Sequence, residues 1–128
     1  MDATASEKLA RSMSARFGVA LDVRPPPELD AIDIPEPDVA IPGALAEICT
    51  TDREARAGHT YGKSYRDVVR GALGDFRGAP DVVAHPKTEA DLVAVLDWCA
   101  SAGLAAIPYG VGSSVVGGVE RPRDDAWP

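Results

Sequence analysis

Residues 88–103 read as a helix with both ends written into the sequence, and its flanks limit what the surrounding chain can become. Thr88 offers an N-cap hydroxyl, and Asp91 three residues later supplies a capping-box-like acid. Leu92, Val95, Leu96 and Cys99 follow at i, i+3, i+4 and i+7, which gathers them on one face. Gly103 can close the helix in a left-handed conformation. Before it, Asp81–His85 is a short β-branched run stopped by Pro86; after it, Leu104–Pro108 is a second short apolar run. A strand, helix and strand of this length predict a right-handed parallel crossover, hence an α/β (α+β) fold with one βαβ unit over 81–109.

The second run opens into Ile107-Pro108-Tyr109-Gly110-Val111-Gly112-Ser113-Ser114-Val115-Val116-Gly117-Gly118-Val119-Glu120. Gly110 and Gly112 can take positive φ and carry no Cβ, so successive backbone N–H groups can converge on one anion. Ser113 and Ser114 add hydroxyl donors, while Pro108 has no N–H, so donors begin at Tyr109 or Gly110. The candidate ligand is a phosphate or pyrophosphate. A G-x-G-x-x-G fingerprint fails because Val115 stands at the third glycine, and a P-loop fails because Gly118 stands where the lysine is needed. A plain turn remains the alternative. Emergence from the carboxyl end of a parallel strand, where open α/β sheets bind ligands, favours the anion cradle.

Three stretches together, Pro80–Glu89, the helix, and the Pro108–Gly118 loop, resemble the N-terminal part of the flavin-binding domain of FAD-linked oxidases, the vanillyl-alcohol oxidase and p-cresol methylhydroxylase (PCMH) type. Within that superfamily, His59-Thr60-Tyr61-Gly62-Lys63-Ser64-Tyr65-Arg66-Asp67, followed by Gly74-Asp75-Phe76, looks most like the bacterial alkyldihydroxyacetonephosphate synthases (alkylglycerone-phosphate synthases). The resemblance covers residues 45–120. It implies FAD as cofactor, with the pyrophosphate held by Pro108, Tyr109, Gly110, Val111, Gly112, Ser113, Ser114 and, more weakly, Val115. Val111 departs from the family's usual triple glycine and would be strained if positive φ were required there. For a full-length relative the resemblance implies exchange of the acyl group of acyl-dihydroxyacetone phosphate for a fatty alcohol, an ether-lipid step without net redox change. An FAD-dependent oxidase or dehydrogenase of a D-2-hydroxy acid is the second reading, and a non-catalytic remnant or interaction module the third. Relatives continue well past this loop, whereas this chain ends at Asp124-Asp125-Ala126-Trp127-Pro128. The resemblance therefore implies a fragment that carries none of the family's catalytic residues and does not bind FAD tightly alone.

The rest of the chain divides at its prolines. Ser6–Phe17 sets Leu9, Met13 and Phe17 four apart on a helix that Gly18 can end, so 1–23 reads as a helical docking segment. Asp2 and Glu7 argue against a targeting peptide. Six of the eleven prolines fall between Pro25 and Pro42 among five acids, making 24–43 an acidic linker or surface strap. Residues 44–128 form the incomplete FAD-binding domain, beginning with a short helix over Ala44–Cys49 and another capped by Thr51 or Asp52 and leading to Gly58. Six of the thirteen Lys and Arg residues lie between Arg53 and Arg77, either as a solvated helix face or facing anionic phosphates.

The formal charge of −7 opposes nucleic acid as a partner. Two cysteines fifty residues apart, Cys49 and Cys99, and two isolated histidines, His59 and His85, make neither a disulfide scaffold nor a metal site. No apolar run is long enough to span a membrane, and reduced thiols without a secretory signal make the cytoplasm the expected location.

Overall fold

The computed structural model describes residues 3–121, and three of its α-helices begin where a side chain satisfies one of the first amides. Helix α1 spans Ala3–Phe17 and ends on Gly18 at φ 66°, whose N–H reaches Ser14 O at 2.9 Å. Helix α2, Arg53–Gly58, is capped by Asp52, which accepts from the Ala55 N–H at 2.9 Å. Helix α3, Tyr65–Ala72, starts with a full capping box: the Ser64 hydroxyl accepts from Asp67 N–H, and Asp67 accepts from Ser64 N–H. Helix α4, Glu89–Ala102, has the same box from Thr88 and Asp91, and closes on Gly103 at φ 66°. The Thr88–Gly103 helix thus forms as its sequence specifies. The Asp124–Pro128 ending and Asp2 lie outside the described residues.

A two-stranded antiparallel sheet pairs β1, Cys49–Thr50, with β2, Val83–Ala84, setting Cys49 opposite Ala84 and Thr50 opposite Val83. The His85 N–H extends the pairing to Ile48 O at 2.7 Å. Mixed helix and small sheet make the α+β class, but the expected parallel crossover does not close. Residues 104–108 run without ladder bonds among the described residues, and β2 pairs backwards with β1 instead. The reason is that strand pairing is non-local: Leu104–Ile107 is a run of small and medium side chains, half-buried at best, and local pattern does not name its partner. The helix expected over Ala44–Cys49 is also replaced, by a 3₁₀ turn at Gly43–Leu45 that leads into β1.

Two small cores carry the packing. Ile32, Ile34 and Ala79 are buried together, with Leu29, Ala57 and Phe76 against them. Leu45, Cys49 and Val95 form the second, flanked by Ile41, Ile48, Val82, Ala84, Trp98 and Cys99. Ile32 and Ile34 belong to the proline-rich stretch, so this segment is a packed strap. Asp33 bridges Asp75 in parallel fashion, and the Asp38 N–H meets Asp81 Oδ1 at 3.1 Å.

Arginines fasten that strap. Buried Arg56 donates from Nε to Pro80 O at 2.7 Å and from Nη2 to Pro35 O at 2.5 Å. Arg53 donates to Leu29 O at 3.2 Å and also to Ile32 O. The basic segment from Arg53 to Arg77 is therefore not a uniformly solvated face. Prolines cannot donate, but their carbonyls accept, and an extended proline-rich segment with only one bridge to the rest of the chain offers its carbonyls to guanidinium forks.

Candidate functional site

The Pro108–Glu120 loop rests on the chain that joins α2 to α3. Tyr109 turns its ring inward: its hydroxyl lies 3.0 Å from Gly58 O and 3.1 Å from Tyr61 O, sharing one proton between two carbonyls at the end of α2. The ring packs on His59 at 4.5 Å between centroids, and His59 in turn meets His85 edge-on at 5.6 Å. His59 Nδ1 sits 2.7 Å from Ala55 O, which fixes this ring as part of the platform beneath the loop.

Gly112 takes φ 65° directly above Tyr109, and a Cβ there would overlap the tyrosine hydroxyl and lie 2.7 Å from Cζ. Only glycine meets both conditions. Val111 has no positive φ and its side chain is 89% exposed, so the departure from the family's triple glycine introduces no strain. Gly110 also avoids positive φ and faces open space. Farther along, the Lys63 N–H donates to Ser114 O at 2.6 Å, and a Cβ on buried Gly62 would collide with that same carbonyl. The Ser114 hydroxyl accepts from Gly118 N–H at 3.3 Å, and Gly117 at φ 78° closes a turn in which the Glu120 N–H reaches Gly117 O at 3.1 Å.

Among the described residues, the N–H groups of Gly110, Val111, Gly112 and Ser113 have no protein acceptor. Pro108, Gly110, Val111, Ser113 and Val115 are exposed, Tyr109 and Ser114 half-buried, and Gly112 buried. A run of backbone donors held by an inward-facing tyrosine and interrupted by one left-handed glycine has the donor chemistry that an anionic oxygen cluster requires. It can bind and orient such a group.

Beneath the loop's far end lies a charged cluster. Arg70 Nη1 donates to Glu120 Oε2 at 2.9 Å, with the side chains 11% and 19% exposed, and its guanidinium lies 5.6 Å from the Tyr61 ring centroid. Asp67 is 2% exposed. Burial pushes its pKa up, but hydrogen bonds from Ser64, the Glu120 carboxyl beside it and the Arg70 charge outweigh that and hold it below the usual carboxylate range. Asp67 Oδ1 has no hydrogen-bond partner among the described residues.

The sequence passed over the bed of this site. The resemblance gives His59–Asp67 no chemical role; in the structure this segment is the surface that holds the loop, through Tyr61 O, Gly62 and the Lys63 N–H. The Ser64-x-x-Asp67 capping pattern was a readable sign of a helix there. Both thiols are free, and burial pushes their pKa values up, at Cys49 with a further push from Cys99, which fits packing roles. No group of three or more metal-ligating side chains occurs among the described residues.

No protein-family model matches the chain. The alkyldihydroxyacetonephosphate synthase of Dictyostelium discoideum is 35% identical over 76 residues, covering 59% of this chain and 12% of that protein. The enzyme of the same name from Trypanosoma brucei brucei is 36% identical over 69 residues, covering 54% of this chain and 11% of that protein. The chain thus spans only a small part of the length of these relatives. A solved alkyldihydroxyacetonephosphate synthase in space group P1 superposes with a TM-score of 0.74 over 91% of this chain and 24% of its own, at 24% identity. A second, in P212121, gives 0.72 over 92% of this chain and 23% of its own, at 23% identity. The chain resembles alkyldihydroxyacetonephosphate synthases in sequence, and its fold matches the corresponding part of theirs.

Proposed function

We propose, from that resemblance, that this chain is a flavin-binding part of an alkyldihydroxyacetonephosphate synthase-like protein and that its 108–115 loop receives the pyrophosphate of FAD. The observation that supports this most is the run of backbone N–H groups from Gly110 to Ser113 without an acceptor among the described residues, in a loop anchored by Tyr109 beneath Gly112. These residues fit a diphosphate: they offer neutral donors in series, and Ser113 adds an exposed hydroxyl. In the leading reading, bound flavin supports replacement of an acyl group by a fatty alcohol on a dihydroxyacetone phosphate substrate, with no net redox change. This chain's own part is to bind and orient the cofactor. Pro108 shapes the entry to the loop, Tyr109 anchors it, and Gly110–Ser114 supply the donors, with Val115 at its exposed edge.

A titration followed by amide chemical shifts tests the loop assignment. Adding FAD, ADP or inorganic pyrophosphate shifts the amides of residues 109–115 saturably, with a dissociation constant of about 1 mM for a single loop, or about 4 kcal/mol. FAD and ADP compete with pyrophosphate for the same shifts. Saturable shifts centred elsewhere, or none in this loop, would sink the assignment.

A further inference from the structure

We infer that Arg70 is a positioning residue for the loop, holding it in its donor-presenting shape from α3 through Glu120; the inference rests on the pyrophosphate reading above. The loop is fixed near its start by Tyr109, yet its distal half, Val115–Gly118, has exposed or half-buried side chains and no apolar anchor of its own. What fixes that half is polar. The Lys63 N–H meets Ser114 O, the Ser114 hydroxyl meets the Gly118 N–H, and the Arg70–Glu120 pair joins the end of the loop to α3 across fifty residues. Both partners of that pair are largely withdrawn from water, unlike Glu7–Arg11 and Asp22–Arg24, which lie in the open.

The cluster's charge balance sets the two ends of the clasp apart. One guanidinium serves two carboxylates, Glu120 by direct contact and buried Asp67 through its field. Removing the Glu120 charge leaves Arg70 balanced by the field of Asp67, without a direct contact. Removing Arg70 leaves two carboxylates facing each other in a shielded place, which pushes Glu120 and the loop end outward. An asymmetric response follows, with Arg70 the more sensitive position.

Hydrogen exchange on the full chain, combined with pyrophosphate titration, tests this. In Arg70→Met the Lys63, Gly118 and Glu120 amides exchange about tenfold faster, or about 1.4 kcal/mol. Glu120→Gln has a smaller effect, and the double variant falls below Arg70→Met because the stranded carboxylate is gone. Exchange in α4 is unchanged, and pyrophosphate binds severalfold more weakly in Arg70→Met. Unchanged exchange at the three amides overturns the clasp, as does equal acceleration through α4, which marks Arg70 as part of general stability. Faster loop exchange with unaltered pyrophosphate affinity overturns the positioning role. If the unaltered chain shows no pyrophosphate response, the positioning role falls with the pyrophosphate reading, while the exchange data separately decide whether the clasp exists.

Discussion

At the scale of single residues, the loop's glycines are not equivalent, and their neighbours decide which one matters. Gly110 has no positive φ and nothing near its missing side chain, whereas Gly112 is left-handed and sits on the Tyr109 ring. Gly112→Ala therefore combines a left-handed alanine, costing about 1–2 kcal/mol, with displacement of Tyr109 from the Gly58 and Tyr61 carbonyls. Its urea midpoint drops and the 109–115 amides lose their pyrophosphate response. Val111→Gly behaves oppositely to a strain-relief substitution: with no positive φ to relieve, it costs about 0.4–1 kcal/mol through the unfolded chain and gains no affinity. The sequence marked this loop as special, but which glycine needs its freedom depends on a tyrosine hydroxyl that only the folded chain brings underneath.

At the scale of elements, what was legible is what is local. Helix α4 could be read at both ends because Thr88, Asp91 and Gly103 act within a turn of where they stand. The strand after it could not, since 104–108 needs a partner that no local pattern names, and β2 pairs with β1 across the separation from Thr50 to Val83. The strap shows the same division: its prolines announced an extended segment, but that it packs follows from Ile32, Ile34 and two arginines on α2. Arg56→Met tests that dependence. It strands the Pro35 and Pro80 carbonyls and removes charge-assisted bonds, each worth about 1.5–3 kcal/mol. The expected result is at least that loss in chemical denaturation, together with new protease cleavage between Pro25 and Pro42. Arg66→Met, at an exposed position, serves as the control and stays within about 0.5 kcal/mol.

At the scale of the whole molecule, burial is unevenly distributed. Helix α4 buries Val95 and half-buries Trp98 and Cys99, but Leu92, Val93 and Leu96 are 47%, 50% and 48% exposed. The expected apolar face is thus covered along only one side. Next to it in sequence, residues 105–108 make no backbone hydrogen bond among the described residues. Apolar side chains followed by an unpaired extended segment favour self-association. The formal charge of −7 works against it by keeping copies apart. Salt weakens the second term and not the first, which makes them separable. Raising salt from about 0.05 M to about 0.5 M shortens the reach of charge repulsion without weakening apolar contact. Light scattering should then show association increasing with salt, whereas association through ion pairs would decrease. Replacing Leu92 and Leu96 together by Gln should reduce that increase while shifting the thermal midpoint little, because neither side chain belongs to a buried core. A double variant that associates as strongly as the parent would move the sticky surface away from α4, leaving the exposed stripe of Leu9, Met13 and Phe17 on α1 as the next one to alter.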